Sequence, residues 1–110
     1  MAEIRRTQEF AEWLMELRDR QGRARILTRI DRLEDGNPGR YRALGGGVFE
    51  LKIDFGPGYR VYYMKVGEIV IVLLCGGDKS TQAKDIRRAK ELAKRIEEEG
   101  WLDESADEEV

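Results

Sequence analysis

Apolar and polar residues alternate strictly from Val48 to Phe55. Phe49, Leu51, Ile53 and Phe55 fall on one side, and Glu50, Lys52 and Asp54 on the other. A period of two is that of a half-buried strand. Gly56-Pro57-Gly58 is turn chemistry. Tyr59–Val66 is rich in β-branched and aromatic residues and turns at Gly67, and Ile69–Cys75 is apolar without interruption, as a strand covered on both faces should be. The three runs predict an antiparallel meander whose third strand is central. One face is apolar. The other carries Glu50, Lys52, Arg60 and Tyr62, and that polar face is the first place to look for function.

Upstream the period becomes helical. Ile4, flanked by polar residues, allows a short edge strand in the first six residues. Thr7 is a helix N-cap with Glu9 in the first turn, and Phe10, Trp13, Leu14 and Leu17 follow i, i+3, i+4, i+7. Gly22 is read as the break. A second helix sets Ile26, Ile30 and Leu33 on one face, with Leu27 beside them, and stops at Gly36-Asn37-Pro38-Gly39. Two helices so closely joined are expected to pack as an antiparallel hairpin. Tyr41–Gly47 reads as a loop in which three glycines make a sharp turn. After the meander, Ser80 or Thr81 is the cap of a third helix with Ile86, Ala89, Ala93 and Ile96 as its buried stripe and Leu92 adjacent, and Gly100 ends it. Trp101 and Leu102 are expected to fold back on the body, and DESADEEV to be disordered. The prediction is one small α+β domain over residues 1–100, a helical hairpin packed on an antiparallel sheet in the order β-αα-βββ-α, followed by an acidic tail over 101–110.

The 110 residues fit a single domain, and at 41% apolar and 38% charged it is globular with a highly charged surface. No apolar run approaches the roughly 20 residues of a membrane helix. MAEIRRTQEF has no apolar signal region, so a cytoplasmic protein without membrane contact is expected. The single cysteine, Cys75, excludes an internal disulfide, disfavours a thiolate metal cluster and reads as core. The net charge of −2 is unevenly placed. Eight acids lie in residues 97–110 with no basic residue, leaving 20 basic against 14 acidic side chains before them, a net of +6. A basic body suits a polyanion such as nucleic acid, and equally an ordinary solvated surface. Arg25, Arg29 and Arg32 line the second helix at i, i+4, i+7, open to phosphate contact, partner-protein contact or solvent.

The sequence has no histidine, which removes Ser-His-Asp and Cys-His catalysis and most zinc sites. Gly76-Gly77-Asp78-Lys79-Ser80 lacks the spacing of a phosphate-binding loop, so neither nucleotide nor metal cofactor is expected. What remains is a cationic constellation: Lys52, Arg60 and Lys79, with Tyr62, Glu50 and Asp78 near. Such a set suits phosphodiester chemistry on RNA, whose 2′-hydroxyl is its own nucleophile. Arginine stabilises phosphorane charge. Lys52 or Glu50 would be the base, and Tyr62 or Lys79 the acid. The alternative is that Glu50 and Lys52 form a surface pair worth under about 1 kcal/mol while the tyrosines pack.

ELKIDFGPGYRVYY (Glu50–Tyr63) and LLCGGDKSTQAKDIRRAK (Leu73–Lys90), with the helical stretch FAEWLMELRDRQGRARILTRIDRL, resemble the RelE/ParE toxin superfamily, and within it HigB-like addiction module killer proteins. The resemblance covers roughly residues 3–96. It implies the fold predicted above and a toxin of a type II toxin–antitoxin pair: a metal-independent, ribosome-dependent mRNA endonuclease. The other members it brings in are a ParE-like gyrase inhibitor acting by binding, or an inactive antitoxin-binding protein. It implies an antitoxin partner, commonly a helix-turn-helix protein, besides ribosome and mRNA. Arg60 matches the superfamily's arginine in the strand after the hairpin, Lys52 lies in the strand of its catalytic lysines, and Lys79 matches a basic residue after the central strand. The superfamily's C-terminal tyrosine has no counterpart in Gln82–Ile86, so Tyr62 would substitute for it.

Overall fold

The structure, a computed structural model, describes residues 2–100. Trp101, Leu102 and the acidic tail lie outside the described residues. The chain forms β1 (Glu3–Arg6), α1 (Gln8–Glu16), α2 (Arg20–Glu34), β2 (Tyr41–Gly45), β3 (Val48–Ile53), β4 (Tyr59–Val66), β5 (Val70–Asp78), a 3₁₀ turn (Lys79–Thr81) and α3 (Gln82–Glu99). The strands make one five-stranded sheet in the order β1-β5-β4-β3-β2. The meander β3-β4-β5 is antiparallel as its alternation predicts, and β1 adds parallel to β5. The middle strand is β4, while β5 is interior between β1 and β4.

Tyr41–Gly47 is not the predicted loop. Tyr41, Arg42 and Ala43 pair with Leu51, Glu50 and Phe49, and Gly45 with Val48. That register leaves Gly46 and Gly47 as a two-residue hairpin turn. Both have positive φ, at 64° and 80°, the conformation such turns demand.

The helices are built by their caps and stripes. Thr7 Oγ1 accepts from the Phe10 N–H at 3.0 Å and donates to the Leu74 carbonyl at 2.6 Å, fixing α1 to the sheet. Asp19, and not a glycine break, starts α2: its side chain accepts from the Gly22 N–H at 2.9 Å. Gly22 lies inside α2, where a Cβ would come within 2.5 Å of the Tyr59 ring. The glycine is a close approach of helix to sheet. Thr81 is the N-cap residue of α3 as predicted, without a capping side-chain hydrogen bond, and Asp78 caps the preceding 3₁₀ turn, accepting from the Ser80 N–H at 2.8 Å. Gly100 ends α3 in the left-handed conformation.

Both faces of the sheet are covered. Beneath α1 and α2 lie Phe10, Leu14, Ile26, Ile30 and Leu33, packed on Leu51, Ile53, Val61, Tyr63, Ile71 and Leu73. Beneath α3 lie Ala89, Leu92, Ala93 and Ile96, packed on Val48, Tyr62, Met64, Val72, Leu74 and Cys75. The register slips between β4 and β5, where Tyr62 faces Cys75 and Tyr63 faces Leu73. Leu74 and Cys75 therefore both enter the α3 core. The face predicted to be open and polar is thus half core, because the alanine stripe of α3 lets that helix sit close over it. Cys75 is buried as expected, and burial pushes its thiol up to about 12.

Candidate functional site

Across the end of the sheet, on the α3 face, the strands set two rungs of chemistry-bearing side chains. In the outer rung Lys52 stands opposite Arg60 and Arg60 opposite Gly77. In the inner rung Arg42, Glu50, Tyr62 and Cys75 follow one another across β2, β3, β4 and β5. Cross-strand neighbours of this kind sit about 4.5–5.5 Å apart.

The outer rung is cationic. Lys79 follows β5, and its N–H approaches the Pro57 carbonyl at 3.4 Å. A Cβ on Gly58 would lie 3.3 Å from Arg60 Nη1 and 3.4 Å from Lys79 Cβ, so both side chains press on that turn. Arg60 is only 8% exposed. Its Nη1 donates to the carbonyls of Gly58 at 2.9 Å and Tyr59 at 3.2 Å, and its buried Nε has no partner. None of the ion pairs among the described residues includes Arg60, Lys52 or Lys79. A buried guanidinium without a carboxylate is costly. Two acids at and beyond the end of β5 are engaged elsewhere: Asp78 caps the 3₁₀ turn, and Asp85 accepts from Thr81 Oγ1 at 2.5 Å. Gly77 makes room for them, since a Cβ there would lie 1.8 Å from Asp85 Oδ2.

The inner rung is sealed. Glu50 is fully buried; one oxygen accepts from Arg42 Nε at 3.0 Å and the other from Gln82 Nε2 at 2.8 Å. Tyr62 is also fully buried, and its hydroxyl has no hydrogen-bond partner of good geometry. Burial first, and then the Glu50 carboxylate, push that hydroxyl far up, holding it protonated. The sequence reading of Glu50 as a base and Tyr62 as an acid on an open face is corrected here, because α3 covers both. Lys52 stands opposite Arg60, and Arg60 Nη1 and Lys79 Cβ both lie against the Gly58 turn. Arg42 and Gln82 escaped the sequence reading, since Arg42 was placed in a loop. The signal was available in Gly46-Gly47, which between two apolar-patterned runs reads as a hairpin and sets Arg42 against Glu50.

On the opposite face, Gln21, Ala24, Arg25, Thr28, Arg29, Arg32, Ile53 and Asp54 line a groove of about 590 Å³. Its arginines differ. Arg25 lies over the Phe55 ring at 4.6 Å and remains exposed, as does Arg32. Arg29 is half-buried and donates to the carbonyls of Lys52 at 2.5 Å, Pro38 at 2.8 Å and Arg40 at 2.9 Å. Burial and the charge of Arg32 lower its pKa. Two of the three predicted phosphate contacts therefore keep free charge, and the middle one is a structural tie. Among the described residues no group of three His, Cys, Asp or Glu side chains could hold a metal ion, and no helix is long and apolar enough to cross a membrane.

A family model described as phage-derived protein Gp49-like matches residues 12–97. The chain belongs to this Gp49-like family. The family is one of toxin-like proteins, and its match runs from Glu12 within α1 through α2 and the meander to Glu97 in α3. The chain is also 47% identical over 94 residues to an uncharacterized protein of Haemophilus influenzae, an overlap of 86% of this chain and 95% of that one. The outer rung, the inner rung and the α2 groove all fall inside the Gp49-like match.

Proposed function

We propose that this Gp49-like protein is the toxin of a type II toxin–antitoxin system and acts as a metal-independent, ribosome-dependent mRNA endonuclease. The observation that carries this reading is Arg60, a nine-tenths buried guanidinium with an unpartnered Nε and no carboxylate, standing between Lys52 and Lys79. Such a group suits an anion, and the resemblance to RelE-like nucleases supports the same reading: Arg60 and Lys79 match basic positions of that pattern, and Lys52 lies in the strand of its catalytic lysines. The α+β architecture and the toxin-like family support the same reading.

In the proposed reaction the RNA 2′-hydroxyl attacks the adjacent phosphorus, and the bond to the 5′-oxygen breaks. A 2′,3′-cyclic phosphate and a 5′-hydroxyl end result. Arg60 holds the phosphoryl oxygens and stabilises the charge that grows on them. Lys52 takes the proton from the 2′-hydroxyl, and Lys79 gives one to the leaving 5′-oxygen. Arg25 and Arg32 contact ribosomal RNA phosphates. The partner that masks the site is an antitoxin, expected to be a helix-turn-helix protein, and the site of action is the cytoplasm.

The test is expression of wild type and Arg60→Gln in cells without antitoxin, with growth and transcript integrity followed. Arrest with transcripts cut inside translated regions, lost in the variant, is the expected result. Arrest with intact transcripts and damaged DNA would replace this reading with gyrase inhibition. Growth without arrest, from folded protein, would leave an inactive antitoxin-binding member.

A further inference from the structure

We infer that Arg42 is a fourth phosphate-binding cation of the same site, set diagonally across the sheet from Lys52, and that Glu50 is the buried residue that positions it. The inference rests on the RNA-binding reading above. Arg42 stands directly opposite Glu50 in the β2–β3 pairing, and Lys52 is two residues further along β3 on the same face. Diagonal neighbours of that kind are about 7–8 Å apart, the spacing of groups that grip one nucleotide unit from two sides.

The division of labour follows from burial. The Glu50 carboxylate is fully buried, with each oxygen already accepting a hydrogen bond, one from Arg42 and one from Gln82. It has no face toward a substrate. The Arg42 side chain is 48% exposed, and only its Nε is bound. A guanidinium carries five N–H donors in a rigid fork. Anchoring the Nε edge to a fixed carboxylate orients the two terminal amino groups, which have no protein acceptor among the described residues. Gln82, in the first turn of α3, fixes the carboxylate in turn. Arg42 thus extends the row of Lys52, Arg60 and Lys79 onto the edge strand. The competing explanation is that Arg42 only neutralises a buried acid.

The two are separated by the salt dependence of binding to a single-stranded RNA oligonucleotide. Arg42→Gln keeps an amide donor for Glu50, so the fold should survive, and a thermal unfolding midpoint checks it. Each phosphate contact on a single strand contributes about 0.7 to the slope of log K against log salt. Arg42→Gln should flatten the slope by about that amount, and Arg60→Gln by the same. Glu50→Gln should weaken binding several-fold in the native background and add nothing to Arg42→Gln, because the two residues act as a unit. A slope unchanged in folded Arg42→Gln but reduced in Arg60→Gln would overturn the inference alone and leave Arg42 as a counter-ion. Wild-type protein that binds RNA neither as the free oligonucleotide nor on ribosomes would overturn the RNA reading and the inference with it.

Discussion

Arg29 and Arg60 are both withdrawn from solvent, each with an unpartnered Nε, and they are held in different ways. Arg29, in the α2 groove, donates to three carbonyls in two other segments of the chain: Lys52 in β3, and Pro38 and Arg40 in the stretch before β2. Arg60, at the end of the sheet, donates only to Gly58 and Tyr59, the residues beside it. A guanidinium that bridges segments closes loops and contributes stability. One held only by its own turn closes no loop and contributes little, and on the reading proposed above its charge is left for an anion. What separates the two is above all the sequence distance to their acceptors.

Substitution should split the pair cleanly. Arg60→Gln is expected to lower RNA cleavage by at least about 100-fold, the usual loss for a group that stabilises transition-state charge, while the unfolding midpoint holds or rises because a buried unpaired charge is gone. Arg29→Gln should do the reverse. Losing charge-assisted bonds to three carbonyls costs about 2–3 kcal/mol, seen as a midpoint lower by about 10–20 °C, with cleavage retained at low temperature. Denaturation and cleavage assays on both variants would break the comparison if Arg29→Gln lost activity while folded, or Arg60→Gln lost stability.

Packing around the α2 end of the sheet gives a smaller and more local effect. Gly22→Ala should help an isolated helix by close to 1 kcal/mol. Here the added methyl would meet the Tyr59 ring at 2.5 Å and the Asp19 carboxylate at 2.7 Å. Overpacking of that kind costs about 1–3 kcal/mol, so the net change is a loss of about 1 kcal/mol, readable in urea denaturation. A stabilised variant would mean that Tyr59 does not seat against α2.

The same residue shows what a sequence reading can and cannot reach. The stripes Phe10/Leu14, Ile26/Ile30/Leu33 and Ala89/Ala93/Ile96 were legible because burial on one face writes a period into the chain. Gly22 was misread as a break because a glycine needed for close approach carries no local mark that distinguishes it from one needed for flexibility. Lys52, Arg60 and Lys79 could be brought together from alternation and turn chemistry alone. Glu50 and Tyr62 could not be excluded that way. Alternation tells which face a side chain takes, but only tertiary packing tells whether a helix with an alanine stripe lies over that face.

Asp19 and Tyr59 join the two regions that Arg29 and Arg60 represent, and their bond offers a final, smaller test. Tyr59 Oη donates to Asp19 Oδ2 at 2.8 Å, tying the cap of α2 to the first residue of the strand that carries Arg60. The Gly22 N–H, and then the Tyr59 hydroxyl, hold the Asp19 carboxyl below its ordinary value. Burial, and then the Asp19 bond, push the Tyr59 hydroxyl up to about 12. The signs are opposite. Asp19 binds its proton more weakly when folded, so its contribution is full above the ordinary carboxylate range near pH 4 and is lost as pH falls through the lowered folded value. Tyr59 binds its proton more strongly when folded, so its contribution is full below about pH 10 and is lost as pH rises toward 12. Asp19→Asn should therefore be less stable than wild type at pH 7 and should converge with it in acid. Tyr59→Phe should lose part of the alkaline limb and keep the rest, because burial also pushes Tyr63 up to about 12. Unfolding midpoints from pH 2 to 11 would decide it: a parallel offset of Asp19→Asn across the whole range would mean that the bridge between the two regions carries no charge.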